Sequence, residues 1–244
     1  MRIPRIHHPG PLRTGTEVEL PQVAARHVAR VLRLGPDAPL VLFDGAGGEY
    51  AASLAEVGKR RVTARVGTFS AREVELPFGI SLAQAVSRGD RMDLTLQKAV
   101  ELGVRRITPL VTERAAPLPA GERRERRLAH WRGVVVSACE QCGRNRVPGV
   151  DPPAAFEAWL DEPASGQRLV LDPEAGMPLH RVASEVGPVT LLVGPEGGFT
   201  EAELDAAYRA GFVGVRLGPR VLRTETAALV ALAQLQVLHP EREE

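Results

Sequence analysis

Aromatic residues make up only 4% of this 244-residue chain, lysine occurs only at positions 59 and 98, Asn145 is the one asparagine, and the cysteines are Cys139 and Cys142 alone. Each scarcity excludes something. Two cysteines give no disulfide framework, and a single C-x-x-C without further regularly spaced ligands falls short of a zinc site. The pair also sits late in a helical pattern, away from the helix amino terminus that redox pairs favour. Both cysteines therefore read as packing residues, and no metal is expected. No run of about 18 apolar residues occurs, and the amino terminus lacks a charged start followed by an apolar core and a cleavage site. That combination predicts a soluble cytoplasmic protein with no membrane association.

What is present is enough for a real core. Apolar residues are 44% of the chain and the formal net charge is +1, so disorder is excluded and the length fits one large domain or two small ones. The charge is unevenly spread: residues 1–71 carry ten Lys/Arg against six Asp/Glu. In that basic front part, strand-length apolar runs at 39–43, 50–57 and 61–66 are divided by Asp44-Gly45-Ala46-Gly47-Gly48 and Gly58-Lys59, which predicts a small β-rich domain. A helix over 21–34 is expected to put Arg26, His27, Arg30 and Arg33 on a polar face opposite Val23, Val31 and Leu34. From residue 72 onward the rhythm changes. Strand patterns at 80–86, 107–111, 168–172, 189–193 and 213–217 alternate with helical ones near 90–102, 122–142, 153–160, 178–185, 200–210 and 224–238. Such alternation predicts a parallel sheet flanked by helices, with ligands beyond the carboxyl ends of its strands.

Two segments stand at such ends. The apolar run Leu191-Leu192-Val193 opens into Gly194-Pro195-Glu196-Gly197-Gly198-Phe199-Thr200, in which three glycines permit close backbone approach. Thr200 and Glu203 have capping-box spacing for a following helix. The loop lacks the Lys and Ser/Thr of a phosphate-binding P-loop and the G-x-G-x-x-G of a dinucleotide site, so it points to a small ligand without a phosphate. The second segment, Leu217-Gly218-Pro219-Arg220-Val221-Leu222-Arg223-Thr224-Glu225-Thr226-Ala227, again joins a strand to a helix. Each of these glycines also has a plain reading as a turn residue.

The pair GPEGGFT and LGPRVLRTETA, together with Ser87-Arg88-Gly89-Asp90-Arg91-Met92 leading into 97–104 and with Ala138-Cys139-Glu140-Gln141-Cys142-Gly143-Arg144, resembles the signature of the uridine-N3 methyltransferases of ribosomal RNA. These are the RsmE-like branch of the SPOUT, or trefoil-knot, methyltransferases. The resemblance covers essentially the whole chain. It implies an α/β fold in which a knotted SPOUT-type parallel sheet flanked by helices (72–244) follows a small PUA-like β-barrel that binds RNA (1–71). It further implies a homodimer, S-adenosylmethionine as cofactor, and 16S ribosomal RNA of the small ribosomal subunit as partner.

On that resemblance the cofactor is expected against Gly194, Pro195, Glu196, Gly197, Gly198, Leu217, Gly218, Leu222, Arg223 and Thr226, with Leu171 to Ala175 as a further wall. Arg223 is the candidate for stabilising the uracil anion, and Glu225 for removing the N3 proton. Glu225 has an equal second reading as a first-turn partner of the helix dipole. Arg2, Arg5, Arg13, Arg88 and Arg144 are the expected RNA contacts, resting on phosphate and RNA shape because stacking rings are few. The charged stretch from Glu122 through Arg132 reads mainly as a solvated helix face. A ribose 2′-O enzyme of the same superfamily, or a non-enzymatic ribosome-assembly factor, remains the alternative.

Overall fold

The front segment's apolar runs become β1 (Arg5–His7), β2 (Glu17–Glu19), β3 (Pro39–Phe43), β4 (Glu49–Val57) and β5 (Val62–Ser70). In this computed structural model, which describes residues 3–58, 61–163, 165–182 and 187–238, they form one sheet in the order β1-β3-β4-β5-β2. The β1–β3 pair is parallel and the other three pairs are antiparallel. Leu40, Leu42, Leu54, Val62, Ala64 and Val66 of this sheet pack with Ile6, Leu12, Leu20 and Val28 into one core. The β1 and β2 edges had no clear apolar pattern because each is only three residues long.

The helix of this segment packs by a different face from the one expected. Helix α1 (Gln22–Arg26) runs directly into a π-helical stretch, His27–Val31. Val23 and Val31 are 81% and 67% exposed, while Ala24, Ala25, Val28 and Ala29 face the core beside Leu34. Small alanines let the helix lie close to the sheet. The wider π turn also carries the residues after Arg26 off the 3.6-residue period on which the expectation rested.

This first compact unit runs to Glu75 and takes in Cys139–Val147, so it is discontinuous in sequence. The returning segment is fastened by charge. Arg144 Nε and Nη2 donate to the two carboxylate oxygens of Glu75 at 2.9 and 2.6 Å, and Asn145 Nδ2 donates to the Arg72 carbonyl at 2.6 Å. Arg5 donates to Glu49 at 2.6 Å and to the Asn145 side-chain oxygen. Where free cations were expected at Arg5 and Arg144, both guanidiniums are buried and bonded to partners within this unit. Arg13 is exposed, and Arg2 lies outside the described residues. Cys139 is buried, and burial is the main cause that pushes its thiol up to about 12, in keeping with a packing role.

The second unit comprises Leu76–Ala138 and Pro148–Glu244. Its strands are β6 (Ile80–Ala85), β7 (Arg106–Val111), β8 (Gly149–Val150), β9 (Ala154–Ala155), β10 (Gln167–Leu171), β11 (Val189–Val193) and β12 (Val213–Val215). All pairings are parallel, in the order β12-β10-β11-β6-β7-β8 with β9 also beside β7. Every residue of β11 is buried, as a strand covered on both faces requires. Helices α2 (Arg91–Glu101), α3 (Glu122–Cys142), α4 (Phe156–Leu160), α5 (Leu179–Val182), α6 (Glu201–Arg209) and α7 (Thr224–Leu238) provide the cover. On one face Phe156 of α4 and Ala207 of α6 meet Ala83, Leu110, Val170 and Leu192, with Phe212 beside them. α7 packs on α2, α5 and β11, burying Ala228, Ala231, Leu232 and Leu235. This is the expected α/β arrangement, a parallel sheet covered by helices, in a chain whose first part forms a small β-rich unit.

The Arg144–Glu75 pair tests how much the discontinuous first unit depends on its returning segment. With side chains only 4% and 10% exposed, removal of one partner leaves a buried charge alone. Arg144→Ala is expected to lower unfolding free energy by about 3 kcal/mol, read by urea denaturation, whereas substitution of exposed Arg13 should leave it unchanged within about 0.5 kcal/mol.

Candidate active site

Strands β12, β10, β11 and β6 are adjacent and parallel, so their carboxyl ends open at one edge of the sheet. The segments leaving the first three, with Arg91 at the start of α2, line one cavity of about 610 Å³. The loop after β11 is its best-supported wall. Thr200 Oγ1 accepts from the Glu203 amide at 3.2 Å, and Glu203 Oε2 accepts from the Thr200 amide at 2.8 Å, completing the expected capping box. The second oxygen of Glu203 accepts from the Glu113 amide at 2.8 Å. The turn closes through the Gly198 amide on the Pro195 carbonyl at 2.9 Å, with Gly198 at φ +69°.

A buried side-chain relay joins this loop to the start of α7. Gln84 lies opposite Val193 in the β6–β11 register. Its amide nitrogen donates to Thr224 Oγ1 at 3.0 Å, and that hydroxyl donates to the Gly194 carbonyl at 2.6 Å. Both side chains are buried. Sequence reasoning passed over both, although an amide inside the apolar run Ile80–Val86 was a usable signal, since buried polar groups are informative.

Charge is gathered at the rim. Glu196 Oε1 accepts from the Arg88 amide and from Arg91 Nη1, each at 3.0 Å. Burial pushes the Glu196 carboxyl up, but these hydrogen bonds and the Arg91 charge outweigh it and hold the group below its ordinary value. Arg91 Nε also stands 3.9 Å from Glu225 Oε1, a charge contact too long for a hydrogen bond. Glu225 is 8% exposed, and its Oε2 is buried without a hydrogen-bond partner. On the β10 side, Asp172 and Glu174 add two more carboxylates to the lining.

Of the residues expected at a cofactor, Gly194, Pro195, Glu196, Gly198, Leu217, Gly218, Leu222 and Arg223 line this cavity, as does Glu225. Gly197 and Thr226 do not. A Cβ on Gly197 would stand 3.3 Å from the Arg114 side chain, and its carbonyl accepts from Arg114 Nη1 at 3.0 Å. Its bare side therefore faces Arg114, not the cavity. Thr226 is exposed one residue beyond Glu225. Leu171, Asp172, Pro173 and Glu174 form the further wall. Arg88 is exposed, its amide held by Glu196. Among the α3 arginines, Arg126 pairs with Glu122, Arg127 lies over Trp131 and Arg132 donates to the Val150 carbonyl.

A family model described as an RNA methyltransferase domain matches residues 74–236. The chain belongs to that family. A second model, described as an RNA methyltransferase PUA domain, matches residues 24–67 of this RNA methyltransferase. A ribosomal RNA small subunit methyltransferase E of Mycobacterium tuberculosis is 37% identical over 219 residues, 87% of this chain and 83% of the relative. One from Buchnera aphidicola is 30% identical over 237 residues, 97% of this chain and 96% of the relative. Among solved structures, a ribosomal RNA small subunit methyltransferase E from Neisseria gonorrhoeae bound to S-adenosyl methionine superposes with a TM-score of 0.90 at 42% identity, covering 97% and 98% of the two chains. A methyltransferase from Legionella pneumophila in complex with SAM gives 0.93 at 39% identity with the same coverage.

The relay through Thr224 makes a direct test of how the loops are held. Thr224→Val keeps the shape but takes the donor from the Gly194 carbonyl and leaves the Gln84 amide only its bond to the Ala85 carbonyl, so stability should fall by about 2 kcal/mol. Thr224→Ser keeps the hydroxyl and should stay within about 1 kcal/mol of the parent, both measured by denaturant unfolding.

Proposed function

We propose that this RNA methyltransferase moves a methyl group from S-adenosylmethionine to N3 of a uridine in 16S ribosomal RNA of the small subunit. The observation that carries the reading is the buried Glu225 Oε2, unpartnered, on the wall of a cavity formed by the two glycine-containing loops. The residues present suit that cofactor. Gly218 sits at φ +145° with nothing within 4 Å of where a Cβ would be, so the wall is open there for a flat adenosyl group between Leu217 and Leu222. The lining mixes four carboxylates, Glu196, Glu225, Asp172 and Glu174, with four arginines, Arg91, Arg216, Arg220 and Arg223, and a cationic ligand is suited to the carboxylate side of that set.

The bound cofactor supplies a methyl group on an electron-poor sulfonium. The chain's own part is to align, deprotonate and stabilise. The loops over 194–198 and 217–222 fix the cofactor, which leaves the direction of approach set for an in-line displacement. Uracil N3 carries a proton at neutral pH, and Glu225 Oε2 is the acceptor for it. Arg223, exposed beside Thr224 at the cavity, stabilises the negative charge that then spreads over the uracil oxygens. Arg13 and Arg88 are exposed cations available to phosphate. A homodimer working in the cytoplasm completes this reading, supported by the resemblance of the signature motifs.

The test is incubation of the purified protein with small subunits or 16S RNA and labelled cofactor, followed by nucleoside analysis. The expected product is 3-methyluridine; a ribose-methylated nucleoside would reject the assignment of the base nitrogen. Glu225→Gln should reduce kcat by about 100-fold while cofactor affinity, read by calorimetric titration, changes by less than about threefold. A full-rate Glu225→Gln enzyme would remove this residue as the proton acceptor. Arg223→Ala should likewise act on kcat more than on RNA affinity.

A further inference from the structure

The β10 side of the cavity is held in place from outside it. Asp172 follows β10 directly, lines the cavity and is 9% exposed. Its Oδ1 accepts from the Glu174 amide at 2.9 Å, and its carbonyl accepts from the Ala175 amide at 3.1 Å, so the carboxylate and the backbone together close a turn. Its Oδ2 accepts from the Tyr208 hydroxyl at 2.7 Å. Tyr208 belongs to α6 and is not part of the cavity wall.

The phenol reaches Asp172 over β12, and β12 is adapted to let it. A Cβ at Gly214, the middle residue of that strand, would stand 2.7 Å from the Tyr208 hydroxyl. Gly214 is not among the glycines at positive φ, so backbone freedom does not explain it. A glycine within a strand weakens the strand and marks a place where another group approaches closely; here that group is the phenol. Burial first, then the hydrogen bond to Asp172 and the charges of Asp172 and Asp205, push the phenol up to about 12. A donor held so firmly keeps its proton, and with it the bond to the carboxylate.

We infer that Tyr208 is a positioning residue for the cofactor: acting through Asp172, and across the space left by Gly214, it fixes the Asp172–Ala175 turn as one wall of the cofactor cavity. The inference rests on the reading of the cavity given under Proposed function. The turn it fixes brings two carboxylates, Asp172 and Glu174, to a cavity whose occupant is cationic. Tyr208 touches neither cofactor nor RNA in this scheme; its effect is on binding, not on the chemical step.

The experiment compares the full-length parent with Tyr208→Phe, which removes only the hydroxyl, and Gly214→Ala, which displaces it. Each should weaken S-adenosylmethionine about tenfold by calorimetric titration, the loss of one hydrogen bond to a charged group. At saturating cofactor kcat should stay within about twofold, and the double variant should bind no worse than either single one, because both remove the same contact. The contact has its own readout without any cofactor. Tyr50 and Tyr208 are the only tyrosines, so in a Tyr50→Phe background the near-ultraviolet phenolate signal reports Tyr208 alone. At about pH 10.5, just above the ordinary phenol value, that signal should be small in the parent background and rise when Asp172→Asn is added. Unchanged cofactor affinity in Tyr208→Phe and Gly214→Ala, with the phenolate signal still responding to Asp172→Asn, overturns the positioning role alone. A parent that binds no cofactor while the phenolate signal responds as expected overturns the cavity's assignment, and the role of Tyr208 in it.

Discussion

One hydroxyl group ties the two loops of the candidate site together. Thr224 Oγ1 lies between a donor from β6 and an acceptor just past β11, at 3.0 and 2.6 Å, so three segments far apart in sequence meet at one oxygen. A hydroxyl is suited to that place because it donates and accepts at once. The constraint works in both directions. The start of α7 is set against the loop after β11, and the loop is set against the start of α7. Gly194 is held there directly, and Glu225 follows one position on.

Around this fixed point, the cavity wall combines apolar side chains and glycine-containing backbone with acids and arginines. Arg91 hydrogen-bonds Glu196 and lies near Glu225 without bonding it. A cation at the amino end of a helix opposes the helix dipole, and at this exposure an ion pair adds little to stability. The acids around Arg91 account for its position better than the helix does. Glu225 keeps one buried oxygen without a hydrogen-bond partner, a costly arrangement that the proposed proton transfer would explain.

Sequence patterning exposed a large part of this. The long periodic elements came out within a few residues: β11 and α7 at their full spans, α3 over 122–142, and the capping box at Thr200 and Glu203. In each case local propensity and burial agree. The misses share a physical cause, which is that contacts between distant segments leave no local trace. Val23 and Val31 look like core residues along a helix, but the π turn and the alanine face reverse the packing. Arg5 and Arg144 look like free cations until Glu49, Glu75 and Asn145 are brought to them. Gly197 looks like part of the ligand loop, and only the position of Arg114 shows which way its bare side faces. The roles of Gln84, Thr224 and Tyr208 exist only once strands and helices are assembled.

The discontinuity of the first unit bears on the order of events during synthesis. Its sheet is encoded within the first part of the chain, yet Arg5 and Glu75 find their partners at Asn145 and Arg144. When the front sheet emerges from the ribosome, Arg5 already has Glu49, but the Glu75 carboxylate has no counter-charge until roughly seventy further residues have followed it. A domain at the amino terminus ordinarily folds first. Here the amino-terminal unit is completed only after β6, β7 and α3 have been made.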